Sequence, residues 1–200
     1  MSTPLVIACG ALAGDLRAVL VANGMTDHVE VRYLPANLHN RPDGIVPALC
    51  EELAAEPAER PILIGYADCG TGGRLDALIE EQPHLRRLPG AHCYETFAGE
   101  ELFAELHDEE PGTFYLTDFL ARHFDALVWQ GLGLDAHPEL HETYFANYRR
   151  VVLLSQSDDP AVLRAAIAAA ERLGLEFEHR HVGRRGIESA VDVTFGRVAG

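Results

Sequence analysis

The chain has 200 residues, 48% of them hydrophobic, enough to bury one full core and short for two, so a single domain over residues 1–200 is expected. Its 31 acidic residues against 16 basic ones leave a formal charge of −15, a field that repels phosphate backbones and anionic lipid and argues against nucleic-acid and membrane partners. Every basic residue is arginine, and without lysine there is no amine for a Schiff base, a pyridoxal phosphate linkage or a phosphate-loop lysine.

Met1-Ser2-Thr3-Pro4 opens directly into a short apolar strand with no basic flank or cleavage pattern. No run approaches the roughly 18 apolar residues of a spanning helix. A cytoplasmic protein is the expectation, in which Cys9, Cys50, Cys69 and Cys93 serve as thiols or metal ligands rather than in disulfides.

Leu5 to Cys9 is a continuous apolar run ended by Gly10, and Leu12, Leu16, Val19 and Leu20 then recur at helical spacing, which predicts a strand followed by a helix. Val29 to Leu34 reads as a second strand, Pro42 to Leu53 as a helix and Pro61 to Tyr66 as a fully apolar, central third strand. The glycine-rich turn Cys69-Gly70-Thr71-Gly72-Gly73 precedes a helix through Leu75, Leu78 and Ile79. A short extended piece is expected from Arg87 to Ala91, before Cys93. A helix with Leu102, Phe103 and Leu106 stops at Pro111-Gly112.

Thr113 to Leu116 is a short strand, Phe119 to Trp129 is helical, and Gly131 to Tyr148 holds one further helix. Val151 to Leu154 is a strand. Pro160 suits the first turn of the next helix, with Asp158 or Asp159 as its cap and Gly174 as its end, before an extended segment from Leu175 to Val182. Strand and helix alternate, and the strands lack polar alternation. That predicts an α/β fold: a three-layer α/β/α sandwich around a largely parallel, Rossmann-like sheet.

In open parallel sheets ligands sit beyond the carboxyl ends of the strands. Cys9 ends the first strand, His39 lies in the loop after the second, Cys69 follows the third, and Cys93 lies in the next connection. Three thiols and an imidazole suit a tetrahedral zinc site, and also iron or cobalt. The four are scattered along the chain, so individually buried or unreactive cysteines are the competing reading. Gly10 and the Gly70-Thr71 turn are where a cofactor would approach the backbone, and the turn's amides could face an anion and favour thiolate at Cys69. Cys50, between Leu49 and Leu53, reads as a buried small hydrophobe. His137 and His141 are spaced for one helical face, though solvated surface histidines explain them as well.

Cys9-Gly10-Ala11-Leu12, Leu38-His39-Asn40-Arg41-Pro42, Gly65-Tyr66-Ala67-Asp68-Cys69-Gly70 and Gly112-Thr113-Phe114-Tyr115-Leu116-Thr117 resemble the domain of unknown function 1638 family, over roughly residues 5 to 155. The resemblance implies that Cys9, His39, Cys69 and Cys93 occupy that family's cysteine and histidine positions. Two departures stand out: Ala67 replaces a glycine after Tyr66, and Ala91-His92 stands where acidic residues precede the last cysteine, which makes His92 a substitute ligand. Members of the family look like neighbours of corrinoid-dependent methylamine and betaine methyltransferases, which implies one-carbon metabolism.

Three functions follow as expectations. One is a zinc- or iron-dependent enzyme of methyl or one-carbon transfer on a small molecule, with a corrinoid protein as partner. Its ligands would be Cys9, Cys69, Cys93 and His39, the last also a candidate acid/base, and Tyr66, Tyr115 and Thr117 would line its pocket. The second is an accessory protein that handles the metal or the corrinoid without turnover. The third is a thiol redox protein. Substrate and oligomeric state stay open.

Overall fold

The computed structural model describes residues 2–196. They form two compact units, one made of the chain up to Thr96 together with the chain from Arg184 onward, the other of Phe97–Gly183.

Unit 1 is built on sheet A, in which β1 (Leu5–Cys9), β2 (Glu30–Leu34), β3 (Ile62–Gly65) and β4 (Leu85–Arg87) are all parallel, in the order β2-β1-β3-β4. Every residue of β1 and β3 is buried, so both faces of the sheet are covered, as their unbroken apolar runs require. The connections carry α1 (Ala13–Ala22), α2 (Ile45–Leu53) and α3 (Arg74–Glu80), and α4 (Cys93–Ala98) follows β4. The last helix, α9 (Arg185–Phe195), buries Ile187 and Val191 against α1 and β3. Its place is fixed by an ion pair between Arg184 Nε and the buried Asp15 Oδ1, 2.7 Å apart.

Two close approaches decide where glycine is needed in unit 1. Gly65 pairs with Ala8 across β1 and β3, and a Cβ there would lie 2.4 Å from the Ala8 Cβ. Gly186 lets α9 meet the chain at Thr96, whose carbonyl oxygen a Cβ would approach to 1.8 Å. The amino edge of the sheet is closed by the buried Arg60, which donates to Thr3 O, Glu56 and Glu30. The carboxyl edge is left for chemistry.

Unit 2 is built on sheet B, with β5 (Thr113–Leu116), β6 (Arg150–Ser155) and β7 (Glu176–His181) parallel in that order. Its helices are α5 (Glu100–Glu109), α6 (Asp118–Arg122), α7 (Leu140–Phe145) and α8 (Pro160–Leu173). In α8 the buried residues Val162, Ala166, Ala169, Ala170 and Leu173 form one stripe at helical spacing, facing the sheet and α6. Asp159 caps it by accepting from Ala161 N, Pro160 sits in its first turn, and Gly174 ends it at φ 70°, a left-handed position natural for glycine.

The strands are all parallel, as the sequence pattern implies, and are shared between two sheets. Some boundaries differ from the pattern. The piece placed at Arg87 to Ala91 is a strand at Leu85–Arg87, because Pro89 and Gly90, the latter at φ 93°, turn the chain out of the sheet. The single helix over Phe119 to Trp129 is instead α6 followed by a π-helical turn at Asp125–Trp129. Cys50 is exposed rather than buried, since α2 turns the neighbouring Leu49, with Ile45, inward and carries Cys50 about 100° further round. Among the described residues no helix is long and apolar enough to cross a membrane.

Candidate functional site

From β1 the chain winds outward to β2, then returns across β1 to β3, so the loops after β1 and β3 leave the carboxyl edge in opposite directions, a switch point of the kind where open parallel sheets bind ligands. Cys9 is the last residue of β1, and Tyr66 and Cys69 follow the end of β3, the strand beside it. The pairing of β3 with β4 continues past the strand ends as two loop hydrogen bonds, Asp68 N to Gly90 O at 3.2 Å and Cys69 N to Ala91 O at 2.7 Å. These draw the Cys69 loop against the segment that leads into Cys93, the first residue of α4. The same segment is tied down by Glu95, whose carboxylate accepts from Ala91 N at 2.7 Å, and by Thr96 Oγ1, which donates to Pro89 O.

The three thiols are electrostatic neighbours, and all are held neutral. Burial, with a smaller contribution from Cys9, pushes the Cys69 thiol up to about 11. Burial also raises Cys93, reinforced by Cys69 and Cys9, and it raises Cys9 itself against a weaker opposing pull from the Ala11 amide and the Tyr66 hydroxyl. Tyr66 is raised too, first by burial and then by Cys9. Its hydroxyl lies close enough to the Cys9 sulfur for each to shift the other, without full hydrogen-bond geometry, so a buried oxygen is left without a proper partner.

Cys69 stands at φ 50° and is the single non-glycine residue with positive φ among those described. A Cβ-bearing residue in that region costs about 1–2 kcal/mol, and such strain gathers at functional positions. The following turn, however, does not offer its amides to an outside anion. The Asp68 carboxylate fills it from within, accepting from Thr71 Oγ1 at 2.7 Å, Gly73 N at 2.9 Å and Gly72 N at 3.2 Å. The Thr71 bond and then these amides hold Asp68 below its usual value. The expectation that the turn favours thiolate at Cys69 is thereby corrected: the amides serve Asp68, and burial wins at the sulfur.

The other expected site residues are placed as follows. His39 lies on a 3-10 turn after β2, reaching solvent but with neighbours close enough that partial desolvation lowers its imidazole, and no thiol is among the causes. Gly10 begins the short turn after β1, packed on the backbone of the next loop: a Cβ would lie 3.0 Å from Leu34 O. Gly70, at φ 80°, and Thr71 belong to the Asp68 turn. His92 precedes Cys93, its ring 6.0 Å from Tyr94. Tyr115 and Thr117 belong to unit 2, where Tyr115 packs on Phe103 at 5.0 Å and Thr117 caps α6. His137 stands outside α7, beside Glu139, while His141 lies in it against Phe145.

The donor chemistry of three soft thiols suits zinc or iron. The arrangement as it stands is not a ready ligand set: among the described residues no group of three or more His, Cys, Asp or Glu side chains is placed to hold a metal ion. All four cysteines are free thiols.

Fold and site together define a parallel α/β protein with three buried or half-buried thiols near a sheet switch point. The family model described as protein of unknown function (DUF1638) matches residues 33–191, and the chain belongs to that family. The match takes in His39, Cys69 and Cys93, and it begins after β1 and Cys9. No curated protein and no solved structure matches the chain.

Proposed function

We propose that the chain is a thiol-dependent protein of one-carbon or methyl-group metabolism, acting on a small molecule at the carboxyl edge of sheet A, with Cys9, Cys69 and Cys93 taking up zinc or iron. The observation that carries this reading is the placement of three neutral thiols about a switch point, Cys9 raising Cys69 and both raising Cys93, beside a tyrosine hydroxyl without a proper partner. Burial and mutual repulsion oppose three thiolates there, and a bound cation is the one change that reverses both terms at once. The thiols would have to turn toward a common point on binding. A metal held by them would polarise a substrate or activate a thiol for methyl transfer. The one-carbon assignment and the corrinoid partner rest on the family resemblance. His39, neutral and exposed, is then an acid/base at the rim, and Tyr66 supplies a hydroxyl beside Cys9.

A thiol redox role is the second reading, favoured by four free cysteines and by the lack, among the described residues, of a preset ligand group. One experiment separates the two. The purified protein is incubated with zinc, gel-filtered and analysed for metal, with thiols counted by a chromogenic disulfide before and after. Coordination predicts one equivalent of metal in the wild type, its loss in Cys69→Ser, and reactive thiols falling on loading to the exposed Cys50. A metal-free wild type whose thiols oxidise in pairs would decide for redox chemistry.

A further inference from the structure

The carboxyl edge of sheet B holds a second group of chemistry-bearing side chains, all within unit 2. β6 ends in the buried Ser155, and its neighbour β7 carries His179 and His181 two residues apart, hence on one face. Ser155 Oγ lies 2.8 Å from His179 Nε2 and 3.1 Å from His181 Nδ1. His181 Nδ1 in turn lies 3.5 Å from Asp158 Oδ1. A cavity of about 250 Å³ opens on this group, walled by Leu153, Val162 and Leu163 and reached by Ser155, Ser157 and His179.

These contacts allow two proton arrangements, and activation of the serine rests on one of them. A carboxylate only accepts, so the exposed Asp158, 3.5 Å away, favours a hydrogen on His181 Nδ1, and that N–H also faces Ser155 Oγ. The serine then directs its own hydrogen to His179 Nε2, which in this arrangement is the bare nitrogen. A hydroxyl aimed at an unprotonated imidazole, with a second N–H placed to stabilise its oxygen as charge develops, is the arrangement of an activated nucleophile.

We propose that Ser155 is a nucleophile with His179 as its general base, in an acyl-transfer site that takes small, uncharged or cationic esters. The volume falls below the roughly 300–1,000 Å³ of drug-sized pockets, and the aliphatic wall suits a short acyl or aryl group. Anions are disfavoured: Asp158 stands at the mouth, and the first turn of α8 is already occupied by the Asp159 carboxylate, which accepts from Ala161 N. Ser155 Oγ bonds to the ester carbonyl carbon as its proton passes to His179 Nε2 and the carbonyl π pair moves to oxygen. Collapse of that adduct breaks the carbon–oxygen bond to the alcohol, which leaves with the proton from His179. Water then repeats the sequence on the acyl-serine, releasing the acid and restoring the hydroxyl. His181 and Asp158 are positioning residues.

The test uses the full chain as Cys50→Ala, because the exposed thiol would itself react with an activated ester. A fluorophosphonate probe should label the protein, with the adduct mapped by peptide mass spectrometry to Ser155, and p-nitrophenyl acetate should give a burst of one equivalent. Ser155→Ala should lose both signals, and His179→Gln should slow acylation by about 100-fold or more. For the positioning residues, ¹⁵N spectra of the imidazoles should show the proton on Nδ1 of His181 and a bare Nε2 on His179. Asp158→Ala should spoil the first of these and lower kcat at unchanged KM. A Cys50→Ala protein that takes up neither probe, or takes it up elsewhere than Ser155, overturns the proposal whether or not the further variants fold. So does a proton on Nε2 of His179. Metal loading at the thiols bears on neither result, so the two sites stand or fall separately.

Discussion

Replacing Cys69 by alanine and by glycine isolates the cost of its backbone. Both substitutions remove the sulfur, so lost burial and lost thiol contacts cancel in the comparison, and the difference is one Cβ at φ 50°. At an ordinary position alanine is the more stable of the two by about 0.5–1 kcal/mol, because glycine has more freedom to lose. In the left-handed region a Cβ costs about 1–2 kcal/mol, so the order should reverse, with Cys69→Gly more stable than Cys69→Ala by about 0.7 kcal/mol, the middle of a span reaching about 1.5 kcal/mol. For a chain of this size that is a difference of roughly 1–4 °C in Tm, measurable by differential scanning fluorimetry or by urea titration with matched m-values. If the alanine variant equals or exceeds the glycine variant, Cys69 is not strained and the argument that strain marks this residue as functional fails.

Three further outcomes are expected. Asp68→Ala strands the Thr71 hydroxyl and the Gly72 and Gly73 amides and should cost about 1–3 kcal/mol in urea unfolding. Because Asp68 is held below its usual 3.8, its contribution is present above that pH and lost as pH falls through the folded value, so the variant should show a flatter acid limb. Cys69, at about 11 in the folded chain against 9.0 ordinarily, gives the opposite sign: stability intact below pH 9 and declining from there to about pH 11, with iodoacetamide at pH 8 modifying Cys50 well before the other three by timed mass spectrometry. Gly186→Ala should lose about 1–3 kcal/mol or more in the same urea assay, since the added methyl meets the Thr96 carbonyl and backbone has to move.

Much of the strand framework is legible in the residues themselves. The runs at Leu5 to Cys9 and Ile62 to Gly65 are apolar at every position, and only a doubly covered parallel strand accommodates that. The α8 boundaries are equally plain, written by Asp159, Pro160 and Gly174. The division into two sheets is not legible, because an apolar run names no pairing partner. Helix α9 was within reach of the periodicity, through Ile187, Val191 and Phe195 four apart, but its neighbours are polar and the signal is thin. At the site, loop positions relative to strand ends pick out Cys9, Cys69 and Cys93. The sequence cannot say that Asp68 turns inward to fill its own loop, nor that Cys69 is left-handed, since both depend on backbone geometry. Ser155 with His179 and His181 escapes notice for a related reason: the spacing means nothing until β6 and β7 are in register.

Because the chain quits unit 1 after Thr96 and rejoins it at Arg184, the ribosome delivers the halves of that unit at different times. At the usual ~5–20 residues per second the intervening stretch occupies on the order of five to twenty seconds. Throughout that interval the greasy patch over α1 and β3 destined for Ile187 and Val191 is bare, while Phe97–Gly183 is continuous and free to settle first. Truncations ahead of Arg184 should therefore yield insoluble product even though the strands of sheet A are all present.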